Sequence, residues 1–232
     1  MSQIVSYEAG AIGRARALNT GAQWAGNGLV GQDCSQMGLG TTFTVTGWFY
    51  VTQGNSGQII CARKNGVGDG NGWYFTIGNA NQIYVYGASN SASGFPVGMN
   101  FTNVPGGWFH LAVAYNGGQA TVYFQGQSKG TKNIPAAPTE NGRAFSIGNV
   151  LAFNTTALSG RQDEVRLRAG NPSAEWVKAE YESVTLADYV TAGAAVYYTV
   201  ANTLTVTSSS EYQKGIVSPA YGVSTIAAGT VV

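Results

Sequence analysis

A chain of 232 residues suits one large all-β domain, with or without a small appendage, and can bury a core without disulfide staples. Charged residues make up 10% of it, the formal net charge is +1 and Lys and Arg form no run, which argues against nucleic acid or an anionic membrane as partner. The 5 Trp, 13 Tyr and 9 Phe exclude a disordered chain, and the wealth of Gly points to a turn-rich β-sandwich.

In chain order, the N-terminus "MSQIVSYEAG" lacks a basic-then-apolar leader, and no apolar run reaches membrane-spanning length. "FTVTGWFYV" (Phe43 to Val51) alternates as a strand, then turns apolar on both faces. "GQIICARK" is a second strand, and the turn-rich "NGVGDGNG" follows it. Its Cys61, like Cys34, sits in neither a C-x-x-C nor a zinc spacing, and two free buried thiols are expected. "WYFTIGNANQIYVYG" reads as two strands joined through Gly78, Asn79, Ala80 and Asn81. A long small-residue loop, 87–107, carries Phe95 and Phe101. "WFHLAVAYNGGQATVYFQGQ" is the clearest hairpin, because Asn116, Gly117 and Gly118 supply the positive-φ residues of a tight turn. The sequons at Asn100 and Asn154 matter only in a eukaryotic secretory pathway.

The strand "QDEVRLR" places Asp163 in phase with Val165 and Leu167, with Glu164, Arg166 and Arg168 on the other side. A carboxylate on the apolar side requires a metal ion, a cation or several donors. One helix follows, with Asn171 as N-cap, Pro172 at its first position and Ala174, Val177, Tyr181 and Val184 on one stripe. From about Ala187 the composition shifts to Val, Thr and Ala, predicting two or three further strands. So apolar a tail either completes the sandwich or pairs with another chain. The expected fold is all-β: a two-sheet antiparallel jelly-roll sandwich over 1–185, one short late helix, and a strand-rich C-terminal extension over 186–232.

"TFTVTGWFYV", "QIICARKNG…GWYFTIG", "GWFHLAVAYNGGQATVYFQGQ" and "FSIGN…LSGRQDEVRLRAGNPSAEWVKAEY", in that order, resemble the signatures of laminin-G-like, concanavalin-A-like lectin-glucanase jelly-roll domains. The resemblance runs from about Gly13 to Val184. It implies two curved sheets packed face to face, often a bound calcium ion, and a binding or adhesion role. The family commonly opens with an extra strand and an aromatic-Asp-Gly segment. Here the start is abbreviated, leaving room in the sheet for C-terminal strands, and "ALNTGAQW" offers Asn19 and Thr20 where an acid is expected.

The resemblance makes Asp163 a calcium ligand, with Asn19 and N-terminal backbone oxygens as partners, since a hard cation takes several oxygens. The alternative is a carboxylate bonded to loop amides and paired with Arg14 or Arg16. His110, the single histidine, has no nucleophile motif beside it and is expected to pack. Glycoside hydrolysis needs two carboxylates flanking the sugar bond. Only Asp163 and Glu164 are close on a strand, and adjacent strand residues point apart, so no enzyme is expected. The candidate ligand-binding residues are Tyr74, Tyr84 and Tyr86, a tyrosine platform for sugar rings, with Phe95 and Asp69 on the rim. Routine cross-strand packing of the tyrosines is the competing reading.

Two functions therefore stand. The first is a non-catalytic binding or adhesion module for an extracellular glycan or glycoprotein, with calcium as its cofactor. The second is a structural assembly protein, such as a virion head-decoration or tail component or a surface-layer protein, self-associating or joining other structural proteins through residues 187–232. Both imply an extracellular, cell-surface or virion-surface location, with neither nucleic acid nor membrane insertion.

Overall fold

The computed structural model describes residues 7–18, 29–33, 39, 41–52, 57–63, 72–78, 82–87, 92–99, 107–134, 144–148, 158–187, 189, 204–205 and 223–224. Two compact units are present, Met1–Tyr189 and Val190–Val232.

In the first unit, two antiparallel sheets form the expected jelly-roll sandwich. The strands in chain order are β1 (Tyr7–Ala9), β2 (Arg14–Leu18), β3 (Leu29–Asp33), β4 (Thr42–Val51), β5 (Gln58–Arg63), β6 (Trp73–Ile77) and β7 (Gln82–Tyr86). They continue with β8 (Ala92–Pro96), β9 (Trp108–Asn116), β10 (Gln119–Phe124), β11 (Gln127–Asn133), β12 (Ala144–Ile147) and β13 (Gly160–Ala169). The seven-stranded sheet runs β1-β2-β13-β4-β9-β10-β11, and the six-stranded sheet runs β3-β12-β5-β6-β7-β8. In the second unit β14 (Leu204–Thr205) pairs antiparallel with β15 (Val223–Ser224). No helix among the described residues is long and apolar enough to cross a membrane.

The core lies between the sheets. Alternation on β4 and β9 sends Phe43, Val45, Phe49, Phe109, Leu111 and Val113 inward, where they meet Trp73, Phe75, Ile77, Ile83 and Val85. A chain of stacked rings fills the centre: Trp73 lies 4.8 Å from Phe43 and 4.9 Å from Phe75, and Phe43 lies 5.2 Å from Tyr115. Cys61 is a buried free thiol, and Cys34 lies outside the described residues. Gly117 and Gly118 take φ of 54° and 102° and make the expected tight turn between β9 and β10 by themselves, Asn116 remaining the last residue of β9.

The structure corrects four expectations. The N-terminal start is not abbreviated. β1 and β2 pair as a hairpin, and β2 lies against β13, so this segment itself takes the room beside that strand. Within 87–107, β8 is a strand, and its Phe95 is 0% exposed in the core rather than on a rim. The helix α1 (Ala174–Thr185) begins two residues later than expected, with Ser173 as N-cap accepting from the Trp176 amide at 3.2 Å.

The fourth correction concerns the face of Asp163. Its cross-strand partner on β4 is Trp48, whereas Arg166 pairs with Thr46, so β13 carries one extra residue between them. Glu164 takes φ of 50°, the left-handed conformation that absorbs it. The bulge resets the alternation. Asp163 stands on the outer face with Trp48, and Val165 and Leu167 turn to the core. The Asp163 carboxylate is therefore not sent to the apolar side.

The same outer face of the seven-stranded sheet receives α1. Val177 packs with Ala112, Ala114 and Tyr123, and the Tyr181 ring stacks 5.7 Å from Trp48.

Candidate functional site

Two groups of polar and aromatic side chains stand out on the outer surfaces, one on each sheet.

On the six-stranded sheet, alternation places Tyr74, Tyr84 and Tyr86 opposite the core-facing Phe75, Ile83 and Val85. All three tyrosines are half-buried. Tyr74 and Tyr86 are direct cross-strand partners, with centroids 4.1 Å apart and planes at 10°. Their hydroxyls remain protonated. Burial pushes Tyr74 up to about 12, with Tyr86 adding to the shift, and burial followed by Tyr84 raises Tyr86. Each hydroxyl thus both donates and accepts throughout the neutral range.

Tyr84 sits differently. Its centroid is 6.3 Å from that of Tyr86, with planes at 39°. Its partners are Thr76 on β6, which is buried, and Gly94 on β8. A side chain at Gly78 would put its Cβ 2.1 Å from Tyr84 Cε2, and one at Gly94 would lie 3.0 Å from Cε1. Gly78, just past the end of β6, and Gly94, on β8, therefore make the seat in which the ring lies across the sheet. Neither has a positive φ, so each is needed for room rather than for backbone conformation. We expect Gly78→Ala to swing the Tyr84 ring outward at a stability cost of about 1 kcal/mol, read by urea unfolding, because a half-exposed ring can move aside.

The other expected members of this site are placed as follows. Phe95 supports the platform from within the core and offers no face to a ligand. Lys132 of β11 lies 5.2 Å from the Phe95 ring, and its ammonium donates to the Gly94 carbonyl, joining the edges of the two sheets. Asp69, Asn19 and Phe101 lie outside the described residues.

The second group lies on the seven-stranded sheet. The Asp163 carboxylate accepts from the Ile12 amide at 2.8 Å and from the Glu164 amide at 3.0 Å. Arg161 pairs with Glu8 and lies 4.7 Å over the Tyr50 ring. Under α1, Glu180 accepts from Thr46 Oγ1 at 2.9 Å and pairs with Arg166 at 2.6 Å, and Arg166 also holds Glu164. His110 is buried 3.8 Å from the second Glu180 oxygen, and neither ring nitrogen makes a hydrogen bond among the described residues. Burial lowers its pKa from 6.5 to about 4, with the Arg166 charge adding to the effect. It is a neutral packing residue under the helix, beside Trp48 and Tyr181.

Sequence reasoning missed the glycine seat and the role of Glu180. The first had a signal, because Gly78 continues the face of Tyr74 and Thr76. The second had none short of knowing where the helix docks.

Comparison with known proteins gives consistent results. A family profile described as the concanavalin A-like lectin/glucanases superfamily, of laminin G type, matches residues 25–178. No curated protein matches by sequence. Among solved structures, domain 4 of AbnA, a GH43 extracellular arabinanase of Geobacillus stearothermophilus in complex with arabinotriose, is 20% identical with a TM-score of 0.60. That match covers 76% of this chain and 81% of the domain. The CBM40 of the Ruminococcus gnavus IT-sialidase, bound to α2,6-sialyllactose, is 13% identical with a TM-score of 0.52, covering 66% and 95%. The binding domain of botulinum neurotoxin serotype G is 14% identical with a TM-score of 0.57, covering 80% of this chain and 46% of that one. At these identities the likenesses establish the fold alone.

Proposed function

Since the chain belongs to the concanavalin A-like lectin/glucanases superfamily, whose folds carry many different sites, we propose that it is a non-catalytic module binding an extracellular glycan or glycoprotein through its tyrosine face. The observation that carries this reading is the arrangement of three tyrosines on one face of β6 and β7. Tyr84 lies in its glycine seat as the stacking surface, and Tyr74 and Tyr86 stand beside it as a wall bearing two hydroxyls. Sugar recognition needs this combination, an apolar ring for the C–H face and neutral donor-acceptors for the hydroxyls. Glycan-bound relatives of the same fold, with arabinotriose or sialyllactose, support it by analogy. A glycan array probed with the whole chain tests the reading, followed by calorimetric titration of any ligand found.

The non-catalytic part rests on how the described carboxylates are used. Glu8 is held by Arg161, Glu164 and Glu180 by Arg166, Glu182 by Lys178, Asp163 by two amides, and Glu175 is bonded to Ser173 in the first turn of α1. These six carboxylates leave no pair to flank a glycosidic bond.

Assembly through the tail is a second reading, favoured by the strand pair β14–β15 within a unit of its own. Light scattering on the full chain and on a chain ending at Tyr189 tests it. The assembly reading expects a multimer and a folded monomer respectively, and two monomers of normal stability would remove it.

A further inference from the structure

We propose that Asp163 is a metal-free clasp holding the N-terminal hairpin to the sandwich, at the position where the family resemblance implies a calcium ligand. Calcium takes six to eight oxygens at about 2.3–2.6 Å, so a site for it must present lone pairs inward from several groups. Here the carboxylate is met by donors. Ile12 N–H points at one oxygen from 2.8 Å and Glu164 N–H at the other from 3.0 Å, directing positive dipole ends toward the place a cation would occupy. The approach is also filled. A Cβ at Gly10 would lie 2.5 Å from Asp163 Oδ2 and 2.9 Å from the Ala15 nitrogen, so the turn between β1 and β2 closes directly over the carboxylate. No group of three or more His, Cys, Asp or Glu that could hold an ion exists among the described residues.

What the arrangement does instead follows from the ladder. β2 pairs with β13 only from Gly160 to Gln162, and beyond the bulge the hairpin has no further backbone bonds to that strand. Asp163 stands where the ladder stops and binds the hairpin turn with a charge-assisted hydrogen bond. Arg161, also on the outer face, takes the first strand of the hairpin, β1, through Glu8 and the Ala9 carbonyl. The amides thus supply the charge compensation that a cation gives elsewhere. The inference is independent of the glycan reading.

The test combines calcium-dependent unfolding of the whole chain with hydrogen exchange. Wild-type melting is expected to be the same in calcium chloride and in EDTA. Asp163→Asn leaves one amide facing an NH2 group, and is expected to speed exchange at the Ile12 amide by at least about tenfold while the β9–β10 hairpin stays protected. Gly10→Ala, which keeps the carboxylate but opens the turn over it, is expected to do the same and serves if the first variant does not fold. A midpoint raised by calcium in wild type but not in Asp163→Asn would overturn the proposal, as would Ile12 exchange unchanged in both variants.

Discussion

Tyr84→Ala is expected to weaken glycan binding about thirtyfold, the equivalent of losing an anchor side chain worth about 2 kcal/mol. The size of the effect follows from its position. Tyr84 is the ring that lies across the strands, between Gly78 and Gly94 and opposite the buried Thr76. Tyr74 and Tyr86 are stacked on one another at 4.1 Å, so each already has one face occupied. Tyr74→Phe and Tyr86→Phe keep that stack and remove only a hydroxyl, and should cost about 1 kcal/mol each, roughly fivefold in Kd. Gly78→Ala should reproduce the binding loss of Tyr84→Ala without removing any aromatic atom. Titration calorimetry of the four variants against the same ligand checks the order. An unchanged Kd in Tyr84→Ala would return the tyrosines to ordinary cross-strand packing.

The second large effect is on stability. His110 has its pKa lowered from 6.5 to about 4 by burial and then by Arg166. A histidine depressed in the folded state favours unfolding as it protonates, because the unfolded chain binds the proton first. Its contribution is therefore fully present above pH 6.5 and is lost progressively as the pH falls to about 4. The loss is on the order of 3 kcal/mol at about 1.4 kcal/mol per unit, a sizeable share of a domain's stability. Urea unfolding at pH 7, 5.5 and 4.5 measures it. His110→Leu should be destabilised at every pH through lost packing on Trp48 and Tyr181, yet its profile should be flatter than that of wild type across this window. Parallel profiles would show that the pH dependence arises elsewhere.

What the sequence discloses and what it conceals divide along physical lines. The β6–β7 and β9–β10 hairpins are legible because their signals are local: alternating apolar residues around Gly and Asn turns. The sandwich is legible because the four segments recur in family order. The face of Asp163 is concealed because Glu164, an ordinary L-residue, adopts φ of 50° and shifts the period by one. Nothing in "QDEVRLR" marks a bulge as a glycine would. Phe95 looks like a loop residue because small residues surround it, yet β8 needs only five residues to turn it inward. The helix start is misjudged because Asn171-Pro172 is as good an opening as Ser173, and only the Ser173–Trp176 bond decides between them.

The tyrosine platform is intermediate. Tyr74, Tyr84 and Tyr86 can be placed on one face from alternation alone. That Tyr84 lies down while its neighbours stand depends on a glycine six residues away and another ten residues away, brought beside it by pairing. The same holds for the Thr46–Glu180–Arg166 network, whose members come from three elements.

The most direct test of the account is an NMR titration of the isotopically labelled whole chain with the strongest ligand from the array, following tyrosine ring and backbone signals. The largest shifts are expected on Tyr84, Tyr86, Tyr74 and Gly94, with the β13 clasp and the helix α1 face unmoved. Saturable binding whose shifts fall elsewhere, leaving the β6–β7 tyrosines unchanged, would contradict it.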